Sequence, residues 1–239
     1  GVVVGGVGFL LRRRMPHDTP AASKGFPLFD ALRNYPKQML QVVGLSLINA
    51  AVFYITFVYV ITWLKRASGM GASTATIINS VNMAIMISLI MGVAWLSDRI
   101  GRKLILTAAA IGLVIFAWPL MAMMKTGDTS LVFLGQLGLA ILIGTYGAVI
   151  PITMCEIFPR GVRCSAVSTA YNICVGLAGG TAPAVCEWMI TRTGYMLFPA
   201  LYIMLAAAFS ALAALSIHAE SRKAISDSVI PHLANELAT

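Results

Sequence analysis

The sequence predicts an all-α membrane protein with six spanning helices, on three observations. Of its 239 residues, 59% are hydrophobic and 11% charged, with a mean hydropathy of +0.85, whereas a soluble domain carries roughly 25% charged residues. The apolar residues fall in blocks of about 20, the length that crosses ~30 Å of hydrocarbon as a helix. Stretches such as 104–124 are apolar on every face, unlike the ~10-residue alternating strands of a membrane barrel.

In chain order, residues 1–11 are apolar but too short to span, and they run into Arg12, Arg13 and Arg14. They read as the end of a truncated transmembrane helix. A signal peptide would place its charges before the apolar core. Residues 12–38 form a polar linker broken by Pro16, Pro20, Pro27 and Pro36. A six-helix bundle is expected over 39–217, with spans at 39–64, 73–96, 104–124, 131–154, 165–190 and 195–217. The loops are short, so neighbouring helices should be antiparallel. Residues 218–239 read as a polar tail without sustained heptads.

Orientation follows from lysine and arginine, which stay cytoplasmic when they flank short loops. The linker, the second and fourth inter-span loops and the tail hold 13 of the 17 basic residues, leaving Lys65, Arg66, Lys125 and Arg192 on the other side. Both ends of the bundle are therefore expected in the cytoplasm.

The formal charge of +8 is divided among these loops instead of forming the basic stripe with interleaved aromatics of a nucleic-acid binder, so no nucleic-acid partner is expected. Cys155, Cys164, Cys174 and Cys186 lack the close pairing of zinc sites. They read as small packing residues, and no metal or other cofactor is expected. Covalent catalysis is not expected either, because no nucleophile and base fall in an interpretable arrangement and His17, His218 and His232 lie outside the spans.

Two loops carry specific chemistry. The second inter-span loop reads Asp98-Arg99-Ile100-Gly101-Arg102-Lys103: an acid closing one span, a glycine for a tight turn and bases opening the next. The string is similar to the cytoplasmic loop signature of the major facilitator superfamily, with Ala94 where that pattern has Gly. In the fourth loop, Glu156, Phe158, Pro159 and Arg163 resemble the E-x-F-P-T-x-x-R segment of its metabolite:proton symporter branch, which includes proline/betaine, dicarboxylate and shikimate transporters. Arg160 and Gly161 depart from that pattern. The run from Phe53 and Tyr54 to Tyr59 also looks like the branch's seventh helix.

The resemblance implies the C-terminal half of a twelve-helix fold, with an N-terminal six-helix half as partner, in the bilayer of a bacterial inner membrane. It implies proton-coupled symport of a small metabolite, such as a zwitterionic compatible solute or an organic acid, by alternating access. Asp98, Arg99, Gly101, Arg102, Lys103, Glu156 and Arg163 would then form a cytoplasmic charge network that gates the inward/outward equilibrium, or simply fastens helices. The alternative is a transport-inactive membrane sensor, or a truncated half-transporter acting through a partner subunit.

A solute site is expected near the bilayer midplane. Counting about 1.5 Å per residue puts Asn49, Phe53, Tyr54, Asn82, Tyr146 and Asn172 near mid-depth, with Asn79 and Gln136 nearer the outside. These groups either contact solute or tie helices together. The aromatic faces of Phe53, Tyr54 and Tyr59 favour a quaternary or zwitterionic amine. No acid or base lies in the middle of a span, and Glu187 is close to the outer end, so the coupling carboxylates are expected in the partner half. Gly135, Gly138, Gly144, Gly147, Gly176, Gly179 and Gly180 are read as sites of close helix approach, and Pro119, Pro151 and Pro183 as bends.

Overall fold

The computed structural model describes residues 33–158 and 162–236, with side chains through residue 217. The apolar stub at 1–11, most of the linker, and Pro159, Arg160 and Gly161 lie outside the described residues.

Each apolar block folds into one helix, because within a bilayer a helix satisfies its own backbone groups. The six are α1 (Pro36–Ser68), α2 (Ala72–Ile100), α3 (Arg102–Lys125), α4 (Thr129–Ile157), α5 (Arg163–Thr193) and α6 (Phe198–Glu236), of which Phe198–Ile217 is the apolar span. Most run past the predicted limits into polar residues, as α2 does through Asp98 and Arg99. Charged side chains are tolerated there because helix ends reach the headgroups. Only α6 begins later than expected, after a turn in which Phe198 N donates to Tyr195 O at 3.2 Å.

The ends have local causes. Pro36 opens α1, where its missing N–H removes no intrahelical bond. Asp128 caps α4 by accepting from Ser130 N (2.9 Å) and Leu131 N (3.0 Å). Gly101, at φ +107°, is the whole connection between α2 and α3, a left-handed conformation that a side chain would strain.

The bundle is built around α1 and α4, whose apolar windows are 61% and 56% buried. α4 packs on α2 and α3, while α6 bridges α3 and α1, and α5 lies along α1. α2 and α5 keep the most open faces, at 22% and 28% buried. A Cβ on Gly135 would come within 2.8 Å of the Leu120 carbonyl, so α3 and α4 need glycine there. Gly138, Gly144 and Gly179 are also close approaches, and Gly147 is in ordinary contact. Gly176 and Gly180 meet nothing within 4 Å. This corrects the sequence expectation for those two, which lie on the open side of α5.

The helices run on through Pro119 and Pro151, and the irregular backbone lies elsewhere. α1 widens into π-helical turns at Ile48–Val52 and Tyr54–Tyr59, and α5 does so at Val175–Gly179. In α5, Pro183 cannot donate to the carbonyl four residues back, that of Gly179. In α1 no proline lies near the π turns, and the second of them meets side chains from other helices, as described next.

Candidate functional site

The π turns of α1 and α5 meet. A Cβ on Gly179 would fall 3.2 Å from both the Ala50 carbonyl and the Tyr54 ring, so the glycine lets the two irregular backbones touch. Beside this contact lies a cleft of about 280 Å³ lined by Asn49, Phe53 and Tyr54 of α1 and by Tyr171 and Val175 of α5. The Asn49 amide donates to the Tyr171 hydroxyl at 2.9 Å. Phe53 packs edge-on against Tyr54 at 6.3 Å and tilted against Phe57 at 5.1 Å between centroids. The lining holds three aromatic rings, one carboxamide and no formal charge. It can therefore meet a solute through ring faces and amide hydrogen bonds.

The sequence expectation thus brings Asn49, Phe53 and Tyr54 together and sends the other mid-depth residues elsewhere. Asn79, Asn82 and Gln136 do converge, but into a closed, buried cluster. Gln136 Nε2 donates to Asn79 Oδ1 (2.6 Å) and to the Thr56 carbonyl (3.0 Å). Asn82 Nδ2 donates to Gln136 Oε1 (3.1 Å), and Asn79 Nδ2 to the Phe57 carbonyl (3.1 Å). The carbonyls of Thr56 and Phe57 belong to the second π turn of α1. The amides of Asn79 and Gln136 thus supply side-chain donors to two carbonyls of this turn. Tyr146 is fully buried and donates to the Leu45 carbonyl at 2.8 Å, tying α4 to α1 away from the cleft. Asn172 is exposed and its amide turns back to the Ser168 carbonyl at 2.8 Å.

Tyr171 and Val175 are the lining residues that sequence reasoning missed. Successive helical residues point about 100° apart, so Asn172 and Tyr171 cannot both face α1, and depth alone does not choose between them.

At the other end of the bundle, Arg102 joins two acids. It donates to Asp98 at 2.8 and 3.1 Å and to Glu156 at 2.6 Å, linking the start of α3 to the ends of α2 and α4. Ser97, Gly101, Lys103 and these three line a surface cleft of about 530 Å³. Arg99 leaves the group and lies 4.1 Å over the Trp95 ring, a cation–π contact. Arg163 Nε donates to the Phe158 carbonyl at 3.1 Å.

Comparison with known proteins agrees with this architecture. Residues 1–183 match the Major Facilitator Superfamily. The chain belongs to that family. It is a multi-pass membrane protein whose described residues are all-helical, with six spanning helices that correspond to half of a major facilitator fold. It is similar to the ectoine/proline transporter of Corynebacterium glutamicum, 29% identical over 82% of this chain and 39% of that protein. A putative proline/betaine transporter of Staphylococcus aureus is 27% identical over 85% of this chain and 45% of its own length. The glycine betaine/proline/ectoine/pipecolic acid transporter of Dickeya dadantii is 28% identical over 84% of this chain and 40% of its own. The chain therefore spans less than half the length of the curated relatives it matches. No solved structure matches it.

Proposed function

We propose that residues 39–217 form the C-terminal half of a secondary active transporter that takes up a small zwitterionic solute with a proton, by alternating access, in a bacterial inner membrane. Both ends of this half lie in the cytoplasm. The observation that carries the reading is the uncharged cleft where the π turns of α1 and α5 meet, because π turns inside helices are frequent at functional sites and transporters of this architecture hold solute near the midplane. Phe53, Tyr54 and Tyr171 offer ring faces to a quaternary or secondary ammonium, and Asn49 offers an amide. The proline and betaine in the names of the relatives are zwitterions of this kind.

A second wall is supplied by a six-helix N-terminal half. Support comes from the open faces of α2 and α5, and from the exposed carboxamide of Asn172, since an amide at that depth is costly against lipid. The cleft lining has no carboxylate, so the coupling proton is carried by the other half. On this reading, Asp98, Arg102 and Glu156 stabilise one of the two conformations from the cytoplasmic side.

Reconstitution into liposomes tests the proposal. Residues 1–239 assembled with the N-terminal helices should accumulate labelled betaine or proline along an inward proton gradient, and an uncoupler should abolish this. Residues 1–239 alone should insert without accumulating solute. Competition by betaine or proline but not by 2-oxoglutarate supports the zwitterion, and the reverse pattern discards it. Absence of transport by the assembled halves favours a sensor.

A further inference from the structure

Outward from the cleft, the same two helices are joined a second time. Tyr59 closes the second π turn of α1, about 8 Å beyond Tyr54 at 1.5 Å per residue. Its hydroxyl donates to Glu187 Oε2 of α5 at 2.6 Å. Two turns further along α1, Arg66 pairs with Glu187 Oε1 and donates to Thr191 Oγ1 at 3.2 Å. Both oxygens of one carboxylate are thus held from α1. Glu187 is also the only acid in α5, so α5 has no other carboxylate to hold that arginine.

The two sites differ in what holds them. At the cleft the helices touch backbone to glycine, Ala50 to Gly179, beside one neutral hydrogen bond from Asn49 to Tyr171. At the outer end they are tied through one carboxylate that takes both a hydroxyl and a guanidinium. The side chains of Arg66 and Glu187 are 35% and 40% exposed, so water can replace their contacts at modest cost. The second π turn of α1 runs from just past the Ala50 contact to Tyr59 itself, and such turns are where helices bend.

We propose that Tyr59, Arg66 and Glu187 form an outer clasp that keeps the cleft closed from the outside. Its release lets the outer part of α1 swing from α5 about the π turns. The clasp rests on the reading of α1 and α5 as walls of a transport path, but its test does not require uptake. Glu187 is a positioning residue here: it sits about 18 Å along α5 from Val175 and acts on the cleft through α1.

The experiment is labelling from outside, in cells, of a Val175→Cys version of the assembled transporter whose native cysteines are replaced, using a membrane-impermeant thiol reagent. Glu187→Gln should raise the labelling rate about tenfold, the scale of a lost hydrogen bond to a charged group. Tyr59→Phe, which removes one hydroxyl and leaves the ion pair, should raise it by less. If Glu187→Gln does not reach the membrane, Tyr59→Phe carries the test alone. Exchange of the charges, Arg66→Glu with Glu187→Arg, should return the rate toward that of the parent. Rates within about twofold of the parent for each variant that reaches the membrane, at matched surface expression, would overturn the clasp. Loss of uptake by the parent itself would instead count against the transport reading.

Discussion

The hydroxyl of Tyr146 in α4 reaches the carbonyl of Leu45 in α1 at 2.8 Å, inside fully buried surroundings. The carbonyl sits just before the first π turn, so the bond holds the entry to the irregular stretch in place. Tyr146→Phe leaves this acceptor without its partner and should cost about 1–2 kcal/mol. Thermal unfolding in detergent should show the loss, while the KM for solute stays within about twofold of the parent, because only uniform solute contacts move KM alone. A raised KM with unchanged stability would return Tyr146 to the solute site.

Gln136 is the hub of the amide cluster, with partners on α1 and α2. Gln136→Leu should destabilise by about 2 kcal/mol, since it strands a backbone carbonyl and two carboxamides together. Gln136→Glu should be worse. A carboxylate oxygen would replace the Nε2 donor and face the Thr56 carbonyl and Asn79 Oδ1, and a charge buried without a partner is costly in lipid. Urea titration in detergent ranks the three proteins, and equal midpoints would remove the cluster's role in holding the π turn.

Six spans were legible because the bilayer imposes one length on every apolar block, and the turn at Gly101 was legible because acid, glycine and bases fall in one short string. The face each mid-depth residue presents was not. Depth follows from counting along a helix, but azimuth depends on which neighbour packs where, so Asn172 was favoured and Tyr171 overlooked. The π turns of α1 were invisible for a related reason: no proline marks them, and the second meets Gln136 and Asn79, which are distant in sequence. Glu187 was discounted for its depth, although its partners Tyr59 and Arg66 come from another helix.

Asp98→Asn should slow uptake at matched surface expression. The pair with Arg102 is exposed, so the change in the ratio of conformations should be about two- to fivefold. Glu156 still holds Arg102 in this variant, and removing both acids should have the larger effect. Equal uptake rates for the parent and Asp98→Asn would leave Asp98 as a fastening residue.

The orientation is tested by single cysteines in a protein stripped of its native ones. Positions 65, 125 and 192 should react with an impermeant reagent applied to intact cells, and positions 102 and 163 only after permeabilisation, because thirteen of the basic residues fall on one side. Reaction at 102 from outside would invert the topology.

The measurement that bears most directly on the cleft as a solute site is protection of Val175→Cys in the assembled transporter. Val175 lines the cleft opposite Phe53 and Tyr54, so a solute seated against those rings covers it. Saturating betaine or proline should slow thiol labelling at this position, with no effect on a cysteine at position 125. The protection should disappear in Phe53→Ala. Labelling of position 175 at the same rate with and without every zwitterion tested would contradict the account.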